Sequence, residues 1–376
     1  MTLDHLETVV VVGAGPAGLA VAACLRRRGV APVVLERGAA VGDSWRAHYD
    51  RLHLHTPNRL SHLPGLRFPR EAGRYPSRDE MVRYLERYAA QHGIEPRLGA
   101  EVRRATPTAR GWRVEYDGQA IEARNLAIAS GYNGTPCRPT WPGLASFPGP
   151  VLHSASYRSG APFRGQAVLV VGFGNSGGEI ALDLHAQGAQ PTLAVRSPVN
   201  VTPRDLFGIP ALAVSLALMR LPARVADLVG APAIALRYGD IGRYGLRKSG
   251  KGPFRQIIED RRIPLIDIGT IAAIRRGAIR VRPGIERLEG SRIHFADGRS
   301  EAFDAVVLAT GFRPSFDRFL EGAGDALGPD GVPLVSGDVT AVPGLFFCGF
   351  HVSPTGMLRA IGAEARRIAR RIGGAA

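Results

Sequence analysis

Twice in this chain an apolar strand runs into a glycine turn of the form G-x-G-x-x-G and leaves it as a helix rich in small residues. The first copy is "ETVVVVGAGPAGLAVAACLRRRG", with Gly13, Gly15 and Gly18. The second is "QAVLVVGFGNSGGEIALDLHAQG", with Gly172, Gly174 and Gly177. In such a turn the first glycine permits the tight bend and the second lets a phosphate approach the backbone. The third allows the helix to pack closely on the strand, and the helix N-terminus faces the pyrophosphate. A chain of 376 residues has room for two domains, and each turn claims one. The expected fold class is α/β, with two Rossmann-type dinucleotide-binding domains.

The strands that follow the two turns end differently. "PVVLE" closes on Glu36, where an acid binds a ribose 2′-hydroxyl and repels a 2′-phosphate. "PTLAVRS" carries Arg196 at the matching place, followed by Ser197. A guanidinium is always charged and suits bidentate phosphate binding. The first site is therefore expected to take FAD and the second NADPH. Candidate cofactor contacts are completed by Pro16, Ala17, Arg37, Ser44, Trp45, His53, Val102, Ser130, Gly131, Asn175, Ser176, Thr310 and Gly311. Each half continues into alternating residues around an Asp-Gly turn, then an apolar strand ending in a small residue and glycine: "WRVEYDGQAIEARNLAIASGYNG" and "SRIHFADGRSEAFDAVVLATGFRP". The expected organisation places the NADPH domain, 161–289, inside an FAD domain formed by 1–160 and 290–376.

Charge and cysteines narrow the function. The formal net charge is +15, but the arginines are spread along the chain and lysine occurs only at Lys248 and Lys251. Dispersed charge of this kind argues against a nucleic-acid partner and leaves a surface that draws in anions. Cys24, Cys137 and Cys348 form no pair at CxxC spacing, which argues against a disulfide framework, a metal site or a dithiol redox centre. The N-terminus carries no basic leader, so a cytoplasmic location is expected. "IPALAVSLALMRLPARVADLVGAPAIAL" is interrupted by Arg220, Pro222, Arg224 and Asp227 and is too broken to span a bilayer. It reads as a buried or partly exposed helical pair.

Between the two halves lies "FPGPVLHSASYR", residues 147–158, in which Phe147, Gly149, His153, Tyr157 and Arg158 follow the pattern F-x-G-x-x-x-H-x-x-x-Y-R. The pattern resembles the fingerprint of class B flavin monooxygenases, and the resemblance extends over nearly the whole chain. "YDRLHLHTPNRLSHLPGLRFP", "YPSRDEMVRYLERYA", "RSPVNVTPRDLFG", "YGLRKSGKGPF", "PLIDIG", "GAIRVRPGI" and "LATGF" resemble segments of the YUCCA-type members. The C-terminal "CGFHVSPTGMLRAIGAEA" departs from the plant enzymes, lacking their basic, glycine-rich segment. The resemblance implies a glutathione-reductase-like arrangement with FAD and NADPH as cofactors, and O2 and a small molecule as substrates. It implies catalysis through a C4a-(hydro)peroxyflavin and oxidative decarboxylation of an aromatic 2-oxo acid such as indole-3-pyruvate. S- or N-oxygenation and Baeyer–Villiger oxidation are the alternatives it leaves. It also names His55, His153 and Arg158 as active-site residues, with His55 facing the flavin and the linker pair positioning domains and nicotinamide.

Overall fold

The computed structural model describes residues 7–374 and divides into two compact units. The first comprises 1–47, 56–135 and 312–376; the second comprises 48–55 and 136–311. The expected limits at 160/161 and 289/290 fall elsewhere for a topological reason given below.

In the first unit the strand β1 (Glu7–Val12) leads through the first glycine turn into the helix α1 (Pro16–Arg26). β1 is parallel to β2 (Val33–Leu35) on one side. The meander β3 (Val102–Thr108), β4 (Gly111–Tyr116) and β5 (Gln119–Ile128) follows, antiparallel within itself. β4 and β5 are joined by Asp117 and Gly118, both at positive φ, the geometry that an Asp-Gly hairpin turn requires. β5 is long enough to serve three neighbours. One edge pairs with β1; the other pairs with β4 at 119–123 and with Leu345–Phe347 at 126–128. Val12 is in register with both Leu35 and Ile128, so the carboxyl ends of three parallel strands finish together. A one-turn helix, α2 (Asp43–Arg46), follows the turn, and Gly42 N–H donates to the Ala14 carbonyl. The helix α3 (Arg78–Gln91) starts in a capping box: Ser77 Oγ accepts from Glu80 N–H, and Glu80 reaches back to Ser77 N–H.

The second unit holds a five-stranded, wholly parallel sheet. The strands are β6 (Val151–His153), β7 (Ala167–Val171), β8 (Gln190–Ala194), β9 (Arg280–Arg282) and β10 (Ala305–Leu308), in the order β9-β8-β7-β10-β6. The near-continuous burial of β7, β8 and β10 is what a parallel sheet covered on both faces demands. The helix α4 (Asn175–Ala186) follows the second glycine turn. A three-stranded antiparallel sheet, 285–302, is the excursion expected from the second Asp-Gly turn.

β10 explains the units' limits. It pairs with β7 on one side and with β6 on the other, so Val151–His153 is an edge strand of the second sheet, where a linker was expected. Gly149 lies at its entry, and a Cβ there would sit 1.9 Å from the Asp304 carbonyl oxygen. The glycine of the fingerprint is therefore fixed by backbone-to-backbone approach. The apolar stretch after Asp205 folds as the expected helical pair, α5 (Ala211–Leu218) and α6 (Ala223–Tyr238). Among the described residues no helix is long and apolar enough to cross a membrane.

Candidate functional site

Each glycine turn is held by contacts that only glycine permits. Gly13 adopts φ +108°, and a Cβ on it would meet the Ala129 carbonyl oxygen at 2.6 Å. A Cβ on Gly18 would lie 1.8 Å from the Gly13 carbonyl oxygen. The second turn repeats this: Gly172 would meet Ala309 O at 2.5 Å and Gly177 would meet Gly172 O at 2.3 Å. The middle glycines behave oppositely. A Cβ on Gly15 or Gly174 would meet nothing within 4 Å, and both have ordinary negative φ as N-caps of α1 and α4. Their lack of a side chain serves no protein contact. It clears space above a helix N-terminus, where a phosphate group fits.

Around the first turn, Pro16 opens α1 and Ala17 is buried behind it. Glu36 sits where the sequence places it, with its carboxylate on the turn: Oε2 accepts from Ala14 N–H at 2.6 Å and Oε1 from Gly38 N–H at 2.8 Å. Each oxygen keeps a further lone pair. Ser130 Oγ is buried at the end of β5 with no hydrogen-bond partner among the described residues, and Gly131 follows at φ +83° with open space beside it. An orphaned buried hydroxyl next to a cleared glycine turn is what a missing polar ligand leaves behind. Arg37 and Ser44 are exposed and Trp45 is half-buried. Val102 is different: its side chain belongs to the apolar core of the first unit. His53 lies in the second unit, exposed, with Nδ1 near the Arg51 carbonyl.

Around the second turn, Asn175 Oδ1 accepts from Ile266 N–H at 2.7 Å, fixing the first residue of α4. Arg196 follows the end of β8 by two residues and is exposed, with Ser197 next to it. Its carbonyl accepts from the Arg247 guanidinium, which brings a second cation to the same rim. Thr310 donates to the Cys137 carbonyl, and Gly311 O accepts from Cys137 N–H at 2.9 Å.

His153 is buried, and the backbone occupies both its ring nitrogens. Nδ1 accepts from Ala155 N–H and Nε2 donates to the Gly311 carbonyl, each at 3.1 Å. Burial holds its pKa below the ordinary imidazole value of 6.5, so the ring is neutral and positions the Gly311 turn. Tyr157 is also buried. Its hydroxyl donates to Asp183 Oδ2 at 2.7 Å, and Gly160 N–H donates to the same oxygen at 2.7 Å. Arg158 is exposed, and its carbonyl accepts from Asp50 N–H.

The residues 48–55 pack on α4. His55 Nε2 lies 2.7 Å from Glu179 Oε1, with Glu179 buried and His55 nearly so. His55 Nδ1 and Glu179 Oε2 have no hydrogen-bond partner among the described residues. The Tyr49 phenol lies beside Glu179 and Ser176; burial first, and the Glu179 charge second, push its pKa up, so it is a neutral donor. Glu179 and Asp183 thus form a pair of inward carboxylates, four residues apart, on the helix that leaves the second turn. Tyr49, Glu179, Asp183 and Arg247 were not among the sequence candidates. Two acids at buried positions of an otherwise apolar helix face were the signal available.

Comparison with known proteins agrees with this geometry. A pyridine nucleotide-disulphide oxidoreductase model matches residues 10–206, and the flavin-binding monooxygenase-like model matches 122–326. The indole-3-pyruvate monooxygenase YUCCA1 of Oryza sativa subsp. japonica is 43% identical over 331 residues, 87% of this chain and 82% of its own. The chain belongs to the flavin-binding monooxygenase family. It is an oxidoreductase of a family whose models specify a flavin and a pyridine nucleotide as cofactors. The flavin-containing monooxygenase of Stenotrophomonas maltophilia shares the fold at TM-score 0.75, with 27% identity and 97% of each chain covered. The OTEMO complex with FAD and NADP shares it at TM-score 0.71, with 19% identity and coverage of 98% and 85%.

Two outcomes test the site. Gly15→Val should leave the fold intact, because backbone and space both accept the side chain, yet yield protein without bound flavin. Full flavin content in the purified variant would remove Gly15 from the phosphate site. His153 supplies a pH signature. With a folded pKa below 6.5, the unfolded chain takes the proton first as pH falls, so its contribution is present above pH 6.5 and lost below it. His153→Gln keeps one donor and one acceptor without titrating, so denaturant unfolding should show a flatter acid limb. Equal slopes below pH 6.5 would show that His153 is not buried neutral.

Proposed function

We propose that this flavin monooxygenase oxidatively decarboxylates an aromatic 2-oxo acid, with indole-3-pyruvate as the leading substrate. The observation that carries the reading is the 43% identity, over most of both chains, to a relative named for that activity. The reaction balances without further reagents. NADPH and a proton supply the reducing equivalents, one atom of O2 enters the product carboxylate, the other leaves as water, and the substrate carboxylate leaves as CO2. The bound flavin supplies the oxygen chemistry.

The chain's own residues bind and orient. The amides of the turn at Gly13–Gly18 take one pyrophosphate at the N-terminus of α1, and Glu36 offers its remaining lone pairs to a ribose hydroxyl. The turn at Gly172–Gly177 takes the second nucleotide, with Arg196 and Ser197 on the 2′-phosphate. This assigns FAD to the first unit and NADPH to the second. Within the second unit, His55 and Arg158 are the remaining active-site candidates. His55 Nδ1 has no hydrogen-bond partner among the described residues, and Arg158 is exposed and its guanidinium suited to an anionic substrate or nucleotide.

A charge-assisted hydrogen bond is worth about 1.5–3 kcal/mol, which is roughly ten- to hundredfold in affinity. Arg196→Ala should raise the KM for NADPH by that factor and leave that for NADH nearly unchanged, with flavin content constant. Equal use of NADH and NADPH by the unmutated enzyme would remove the reason for an arginine there. Substrate class is tested separately, by product mass after turnover of 2-oxo acids, sulfides, amines and ketones with NADPH and O2. Decarboxylated acid from indole-3-pyruvate or phenylpyruvate is the expected result. Efficient turnover of sulfides or amines, with 2-oxo acids giving only hydrogen peroxide, would overturn it in favour of heteroatom oxygenation.

A further inference from the structure

The helix α6 turns its faces the opposite way from a helix packed on a core. Ala226 and Tyr238 are buried, and Asp227 is turned inward, where its carboxylate accepts from Phe254 N–H at 2.8 Å and Arg255 N–H at 3.2 Å. Val225, Leu228, Val229, Pro232 and Leu236 recur at the spacing that lays side chains along one stripe. That stripe faces outward: Leu228 is 74% exposed and Leu236 78%. No acidic residue lies on it. The turn before α6 carries exposed Met219, Arg220 and Leu221, and Arg224 and Arg237 stand exposed near the two ends of the helix. Among the described residues Arg220 and Arg224 have no acidic partner.

The chain just before α5 adds a second apolar protrusion. A short hairpin, Asp205–Leu206 against Ile209–Pro210, holds Phe207 at its tip, 78% exposed, with Ile209 55% exposed. Phe207 has φ +50°, a conformation a bulky residue adopts at a cost, and its high exposure leaves little burial to offset it.

We propose that this face of the second unit docks peripherally on an anionic lipid bilayer. The stripe of α6 would lie in the boundary between headgroups and acyl chains, with Arg220, Arg224 and Arg237 on lipid phosphates. Charge selects this occupant over a second copy of the chain. Two copies meeting stripe to stripe would set their unpaired arginines against each other, within a protein already at +15. An anionic leaflet neutralises the same arginines, at about fivefold in partitioning for each one that reaches it. The apolar side chains supply insertion of the depth typical of interfacial helices.

The test is co-sedimentation of the flavin-loaded enzyme, followed by its yellow colour, with two kinds of vesicle. One is phosphatidylcholine alone and the other phosphatidylcholine mixed with phosphatidylglycerol. The expected result is at least tenfold stronger partitioning to the mixed vesicles, weakened by added salt. Leu228→Asp/Leu236→Asp, both on exposed positions, should abolish it with flavin content and melting temperature unchanged. Arg220→Glu/Arg224→Glu should remove the preference for the anionic vesicles: the two lost contacts cost roughly 25-fold, and the two introduced carboxylates repel the leaflet and offset what Arg237 retains. Three results would each overturn the proposal. The unmutated enzyme could stay in the supernatant with mixed vesicles, or the leucine variant could sediment like the unmutated enzyme. Light scattering could instead show a dimer that the leucine variant turns into a monomer, which would assign the face to a second copy.

Discussion

A helix can leave a strand by so short a turn only if its third glycine comes down onto the carbonyl of its first. At Gly18 and Gly13, and again at Gly177 and Gly172, a methyl group would overlap that oxygen outright. Everything else about the nucleotide sites depends on this contact. It seats α1 and α4 on their sheets and starts each helix at the carboxyl ends of its sheet's parallel strands. Gly15 and Gly174 are thereby lifted clear of any protein neighbour. The two turns are so alike that the proposed difference between their ligands rests outside them, on Glu36 and Arg196.

The second helix carries a further duty. Its two inward carboxylates gather segments distant in sequence: Glu179 takes His55 and lies beside Tyr49, and Asp183 takes Tyr157 and the Gly160 amide. A buried carboxylate is tolerable only when its oxygens are hydrogen-bonded. Asp183 meets that condition through two donors on one oxygen. Glu179 meets it on one oxygen, and among the described residues its other oxygen is unpartnered, as is His55 Nδ1. One of these open valences lies on the helix whose N-terminus would receive the nucleotide and the other on the segment packed against it, which makes the cluster polar where a purely structural helix would be dry.

Much of this was legible in the sequence because the chemistry is local. Turn glycines, the acid or arginine closing the next strand, and the Asp-Gly hairpin at 117–118 all report on neighbours within a few residues. The parts that were not legible depend on long-range pairing. Nothing in "VLH" distinguishes a linker from an edge strand until β10 is known to lie beside it. Residues 48–55 sit in sequence within the first unit and belong in space to the second, because Tyr49 and His55 find their partner at Glu179. Val102 lies at a strand start, where a nucleotide contact and a core side chain look the same in sequence. The outward stripe of α6 was hidden for a related reason, since periodicity places residues on one face without saying which way that face looks.

The long strand β5 has one further consequence. Its residues Leu126–Ile128 have as their outer neighbour Leu345–Phe347, more than two hundred residues later in the chain. Until that segment exists, the most apolar part of the first sheet presents an unpaired edge, the kind of surface to which another chain adds a strand. At ordinary ribosomal speed that interval lasts roughly 10–40 s for each molecule made. A chain that stops short of residue 345 never closes the edge, whatever the state of its two glycine turns.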